Sequence, residues 1–316
     1  MLPGYGIPPP TSAGSFGVVP APPPVVLDGP VWRARAAAHR RRVEQWTLPH
    51  RERRRRGQAH PVLDFLFTYY SFRPAQLEQW HPGPGVALRG VDTTADAAVD
   101  TVLATPGYVR RPDGTVVLDP AALPARLRTT AAFVQGLLVA TASRPPRLGC
   151  FGLHEWAMVY RTEHPRHATV PLRLGAAGTD AVVESLPVHC THHDAFRFFT
   201  TAARPRNAVA PARADQVAFE QPGCLHATMD LYKWAYKLSP ATPGELLADC
   251  FALAADVREL DMRASPYDLA DHGYPPVRIE TPAGRAEYAR AQAAFTRRAA
   301  PLRERLVDLC DAVLAG

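Results

Sequence analysis

The C-terminal third of the chain does most to limit its fold. From Leu225 to Leu238 and again from Glu245 to Met262, apolar residues recur at the three-to-four-residue spacing of an α-helix. The segment between them, Ser239-Pro240-Ala241-Thr242-Pro243-Gly244, is rich in residues that stop a helix and turn the chain. Ala283 to Leu314 continues the same periodicity in one long amphipathic stretch. Each of these helices carries an apolar stripe that must be covered, and two joined by a short turn cover each other as a hairpin. Helix-on-helix packing is the expected architecture.

Upstream, Trp32 to Gly57 reads as one long helix broken by Pro49, with Gly57 as its stop. His60 to Trp80 is dense in aromatics, and Pro74 starts a short helix that ends near Trp80. Tyr108-Val109-Arg110 and Thr115-Val116-Val117-Leu118 flank Arg111-Pro112-Asp113-Gly114, a β-hairpin pattern. Pro120 to Ser143 looks helical, and short β or buried segments are expected at Trp156 to Arg161, Pro171 to Leu174 and Leu186 to Cys190. The fold class is mainly α with a minor β component, an α+β chain whose C-terminal half is helical. A chain of 316 residues can bury a sizeable core, and residues 31–316 are read as one large domain.

Residues 1–30 hold nine prolines and no Lys or Arg, the composition of a disordered or polyproline-like tail. They lack the basic start and apolar run of a secretory signal, and no apolar run of about 18 residues occurs anywhere, so a cytoplasmic protein without a membrane partner is expected. Five cysteines, Cys150, Cys190, Cys224, Cys250 and Cys310, are odd in number and widely spread, which does not describe a disulfide framework. The net charge of +6 permits a DNA partner, because neutralising phosphates supplies sequence-independent affinity. Much of the excess lies between Arg33 and Arg56. Arg53, Arg54, Arg55 and Arg56, with Arg204 and Arg206, are the candidate phosphate contacts.

Only two of the 36 basic residues are lysines, Lys233 and Lys237, and both lie in the segment Leu225 to Leu238. At 100° per residue, His226, Asp230, Lys233 and Lys237 fall within about 60° of one another on a helix surface. A polar stripe this narrow, flanked by Met229, Tyr232, Leu231 and Trp234, suits the wall of a cleft, and equally suits two ion pairs on a half-exposed helix.

Chemistry is expected where polar residues sit in aromatic, weakly charged surroundings, since burial there perturbs pKa values and strengthens electrostatics. Four segments qualify: His60 to Tyr70, Gly149 to Trp156, Cys190 to Phe199, and the lysine helix. Glu155, Asp194 or Asp230 is the candidate carboxylate for acid or base work. Lys233 or Lys237 would balance its charge or act as an amine nucleophile. Tyr69, Tyr70, Trp156 and Trp234, with His226, are candidates for holding a planar ring. Cys190-x-His192-x-Asp194 and Cys224-x-His226 also supply zinc or iron ligands, which makes His192, Asp194 and His226 an alternative metal set. A nucleophilic Cys150 or Cys190 paired with a histidine is a further possibility. G-x-S-x-G, P-loop and dinucleotide fingerprints are all missing, which argues against the hydrolase, NTPase and Rossmann chemistry that they mark.

The stretches HPVLDFLFTYYSFRPAQLEQWHPG, GCFGLHEWAMVYR, CTHHDAFRFFTTAARPRN, EQPGCLHATMDLYKWAYKLSP and LDMRASPYDL resemble a group of actinobacterial proteins carried under the name 3-methyladenine DNA glycosylase. The resemblance runs from Trp32 to the C-terminus. It implies a DNA-repair hydrolase that flips an alkylated purine out of DNA, stacks it on aromatics and cleaves its N-glycosidic bond with a carboxylate, needing no metal. The turn here, Leu238 to Gly244, follows the lysines, whereas helix-hairpin-helix glycosylases place their lysine or aspartate after the turn. No catalytic position carries over from those enzymes. The leading expectation is thus an N-glycosylase acting on alkylated purines. Its alternatives are a metal-dependent enzyme acting on a small molecule and a nucleic-acid-binding module without catalysis.

Overall fold

A computed structural model describes residues 23–91, 104–163 and 169–316. The chain is mainly helical with one small sheet. Helix α1 spans Gly29–Arg55, followed by the short α2, Phe65–Tyr69, and α3, Pro74–Leu77. Next come α4, Ala125–Ala142; α5, Leu153–Ala157; α6, Gly175–Ser185; α7, His193–Phe196; and α8, Gln216–Phe219. The C-terminal third forms α9, Leu225–Lys237; α10, Gly244–Arg263; and α11, Pro282–Leu314. Strands β1 (Val25–Leu27), β2 (Val86–Leu88), β3 (Tyr108–Arg110) and β4 (Val116–Leu118) pair in the order β1-β2-β4-β3.

The helix periodicity in the C-terminal third is realised as expected. Helices α9 and α10 form the hairpin, α11 packs across both, and α4 lies along α11. At the hairpin turn, Thr242 Oγ1 donates to the Ala235 carbonyl at 2.6 Å and the Gly244 N–H donates to the His81 carbonyl at 2.8 Å. These bonds satisfy backbone groups that a helix end leaves without partners. Met229, Leu231, Tyr232 and Ala235 are fully buried, so α9 is the centre of the main core rather than a wall of it.

Four local expectations are corrected. Pro49 does not break α1, which runs through it. An interior proline costs a helix about 3 kcal/mol. Here both flanks are pinned: Trp46 packs on Phe251 at 5.0 Å, and His50 stacks on Phe67 at 4.5 Å while its Nδ1 meets Asp64 at 2.8 Å. Second, the segment read as a tail over residues 1–30 contributes to the fold from Val25 onward: β1 pairs in parallel with β2, and α1 begins at Gly29. Residues 1–22 lie outside the described residues. Third, of the two alternatives for Trp156 to Arg161 the buried one holds and the strand does not: Trp156 to Tyr160 are buried, at the end of α5 and in the turns after it. Fourth, Pro171 to Leu174 and Leu186 to Cys190 supply only single bridges, Leu172 to Tyr267 and Val188 to Asn207. The β3–β4 hairpin stands as expected, its turn held by Asp113 Oδ1, which accepts from the Thr115 N–H and hydroxyl.

Candidate metal centre

Helix α9 carries His226, Asp230 and Lys233 on one face, and that face points into the protein. A helix with a polar stripe in the core is stable only if every group on the stripe finds a partner. Asp230 finds two. Tyr70 Oη donates to its Oδ1 at 2.9 Å, and Lys233 Nζ donates to its Oδ2 at 2.8 Å. The same ammonium donates to Asp194 Oδ2 at 2.8 Å, so Lys233 bridges α9 to α7. Burial would lower the lysine pKa, but the Asp230 and Asp194 carboxylates hold it well above its ordinary value. Burial likewise opposes ionisation of Asp230, and the Lys233 and His192 charges overcome it.

His192 faces the other side of Asp230. Its Nε2 lies 3.4 Å from Asp230 Oδ2 and 3.4 Å from Glu220 Oε1, and neither ring nitrogen has a hydrogen-bond partner among the described residues. The side chain is 1 % exposed. Burial lowers its pKa, yet the two facing carboxylates prevail and push it up to about 9. An edge of about 3.4 Å is what separates two donor atoms of a tetrahedral shell with bonds of about 2.1 Å. His192 Nε2, Asp230 Oδ2 and Glu220 Oε1 are therefore spaced as ligands around a shared centre.

A second group adjoins the first. The His226 ring stacks near His192 with centroids 5.3 Å apart and meets His154 edge-on at 4.4 Å. His154 Nε2 contacts Asp261 Oδ1 at 2.7 Å, and its Nδ1 contacts Cys150 Sγ at 3.4 Å. The donor atoms of His154, His226 and Asp261 lie within 4.8 Å of one another, as do those of His192, Glu220 and Asp230, and all six residues are buried. His226 Nδ1 has no hydrogen-bond partner among the described residues. Burial, reinforced by the neighbouring His154 charge, depresses its pKa well below the ordinary value and keeps it neutral. Burial acts the same way on His154, but Asp261 and Cys150 reverse the balance and raise it. Arg258 closes this side, donating to Glu155 Oε1 at 2.8 Å and lying 3.4 Å from Asp261 Oδ2, with its guanidinium over the Phe65 ring at 3.7 Å.

His226 also borders two openings. One is a cleft of about 70 Å³ whose walls include Tyr69, Phe198, Asp194, Glu155 and Arg258. The other is a smaller cavity of about 10 Å³, room for one water, bordered by Cys150, Cys190, Cys224, Tyr288 and Gln292.

The residues singled out from sequence divide into three sets. Asp194, Asp230, Lys233, Tyr70, His192 and His226 come together, and Glu155 and Tyr69 border the adjoining cleft. Tyr70 is a hydrogen-bond donor to Asp230 rather than a stacking platform; burial first, then Asp230, raises its pKa and keeps the phenol protonated. Asp194 pairs with Lys233 and is not in either ligand group, where Glu220 takes the expected place. Trp156 and Trp234 do not serve as stacking faces: the first is fully buried with its indole N–H donating to the Ala264 carbonyl at 2.8 Å, and the second is buried against Phe133. Lys237 is exposed one turn beyond Lys233.

The arginine candidates are largely engaged with the protein itself. Arg53 pairs with Asp64 at 2.5 Å, and Arg55 and Arg56 pair with Glu52 on their own helix. Arg54 is exposed. Arg204 donates to the Arg197 carbonyl, and Arg206 donates to the carbonyls of Val183 and Glu184. Sequence reasoning missed Glu220, His154, Asp261 and Arg258. Asp261 was the most visible of these, a carboxylate between Leu260 and Met262 in the apolar register of α10.

No helix among the described residues is long and apolar enough to cross a membrane. Comparison with protein-family profiles, with curated proteins and with solved structures finds no match for this chain.

Proposed function

We propose that the protein is a metal-dependent enzyme acting on a small molecule, with His192, Glu220 and Asp230 as ligands of a divalent zinc or iron ion. The observation that carries this reading is the pair of 3.4 Å separations from His192 Nε2 to two buried carboxylate oxygens, long for charge-assisted hydrogen bonds and close to the edge of a tetrahedral shell. Two buried carboxylates converging on one imidazole need a positive charge among them, which a divalent ion would supply in place of the proton on His192. Imidazole and carboxylate donors suit zinc and iron. Three protein ligands leave a position open for substrate or water, as catalytic metal sites do and structural ones do not. Tyr70 would orient Asp230 through its other oxygen, Oδ1, while Lys233 shares Oδ2 with the ion. A bound ion there would supply Lewis acidity, while Asp194 and Glu155 at the cleft would hold or move protons.

Elemental analysis of the protein reconstituted with Fe(II) or Zn(II) tests this. At least one equivalent of metal is expected, with one equivalent fewer in His192→Ala. Metal-free protein after reconstitution in both would sink the reading.

The resemblance to the glycosylase-named group supports a second reading, and the aromatic and carboxylate cleft of Tyr69, Phe198, Asp194 and Glu155 is the observation that favours it. In that reading a flipped alkylated purine enters the cleft and Asp194 or Glu155 assists loss of the base. The half-buried pairing of Arg53 with Asp64 weighs against it, while Arg54, Arg55, Arg56, Arg204 and Arg206 stay exposed. Release of 3-methyladenine from alkylated duplex DNA is the test, and no release above background removes it.

A further inference from the structure

Resting on the metal-dependent reading, we infer that the interior holds two divalent cations side by side. His192, Glu220 and Asp230 take the first, and His154, His226 and Asp261 take the second.

The two groups are built as a unit. Helix α9 supplies one ligand to each, His226 and Asp230, and residues four apart on a helix rise about 6 Å along the axis. Their rings and carboxylates therefore project from adjacent turns of one face. The three imidazoles form a continuous row, His154 to His226 at 4.4 Å and His226 to His192 at 5.3 Å. Each group offers three donors from three segments of the chain, the minimum that fixes an ion while leaving positions open for a substrate or a bridging oxygen. In the second group His154 Nε2 and Asp261 Oδ1 are hydrogen-bonded at 2.7 Å, a proton-bridged contact that a metal ion would replace.

One observation beyond the cluster itself points to a ligand in the second group. His226 Nδ1 is an unpartnered polar atom on a side chain only 8 % exposed, and the same ring borders both openings. Fixed cations are also divided: Lys233 is shared between Asp230 and Asp194, and Arg258 between Glu155 and Asp261. Each carboxylate also faces an imidazole, Asp230 that of His192 at 3.4 Å and Asp261 that of His154 at 2.7 Å, and a divalent ion at each group would take over the charge that those histidines carry without it. Two neighbouring ions would act as a clamp on the oxygen atoms of a small substrate.

Stoichiometry and magnetic coupling test the inference. The full chain, stripped with chelator and titrated anaerobically with Mn(II), is expected to bind two equivalents and to give the spectrum of an exchange-coupled pair. His226→Gln and Asp261→Asn should each bind one equivalent and give a single-ion spectrum, and so should His192→Ala. Circular dichroism and the melting temperature check that each variant folds; if one does not, the wild-type spectrum still decides. A wild type that binds one equivalent with an uncoupled spectrum, lost in His192→Ala and kept in His226→Gln, overturns the second site and leaves the first standing. One equivalent lost in all three variants means one ion shared by both groups and likewise overturns the pair. No binding of Mn(II), Fe(II) or Zn(II) overturns both readings.

Discussion

Lys233 shows at the level of one side chain why the interior of this protein is polar. Its ammonium lies 2.8 Å from each of two carboxylates, and its side chain is 15 % exposed. Removing one member of a buried ion pair leaves the other charged and without a partner, which costs about 3–5 kcal/mol. Lys233→Met is accordingly expected to lower the unfolding free energy by about that amount in denaturant titrations. Lys233→Arg keeps the charge but replaces a compact ammonium with a planar fork, and should cost less than half as much. If Lys233→Met unfolds at the wild-type denaturant midpoint, the bridge is not structural. The scarcity of lysine drew attention both to this residue, which the fold ion-pairs, and to Lys237, which it leaves exposed, because composition does not say which turn of a helix leaves the core.

At the level of elements, the long helices were legible because each must bury an apolar stripe, and that requirement is written every three or four residues along α9, α10 and α11. Three-residue strands carry no comparable signal unless a tight turn joins them, as it does β3 and β4. Strand β1 is the sharpest case: Val25 and Val26 are exposed, and it exists by pairing with β2 sixty residues away. Its removal should be felt. Deleting residues 1–22, whose Pro-rich composition cannot offset ordering entropy, is expected to leave the melting temperature nearly unchanged. Deleting residues 1–28 also removes the β1 ladder and the Asp28–Arg89 ion pair, and should lower it by several degrees. Equal melting temperatures for the two truncations would show that β1 contributes nothing.

Across the whole molecule, acid sensitivity follows from histidines held neutral in the core. Burial pushes the His81 pKa from 6.5 down to about 4, where its Nδ1 contacts Tyr108 Oη at 3.1 Å. The unfolded chain takes up a proton below about pH 6.5 while the folded one does not. The stabilisation is therefore fully present above pH 6.5 and is lost as the pH falls toward 4, a difference of about 3 kcal/mol. Unfolding free energies of wild type and His81→Gln at pH 7 and pH 4.5 should diverge, with wild type losing more on acidification. Parallel losses would exclude His81 as a source of the acid sensitivity.

By itself the sequence determined the helical class, the α9–α10 hairpin, the long final helix and the polar stripe His226, Asp230, Lys233, because each of these is periodic within a few turns of chain. What only the tertiary structure decided is which charges meet that stripe. His192 reaches Asp230 and Glu220 reaches His192 from loops, Asp261 reaches His154 across 107 residues, and Tyr70 reaches Asp230 across 160. Buried charges are tolerated only in the company of specific partners, and partnership at such separations is set by how helices pack, not by the spacing of residues along one of them.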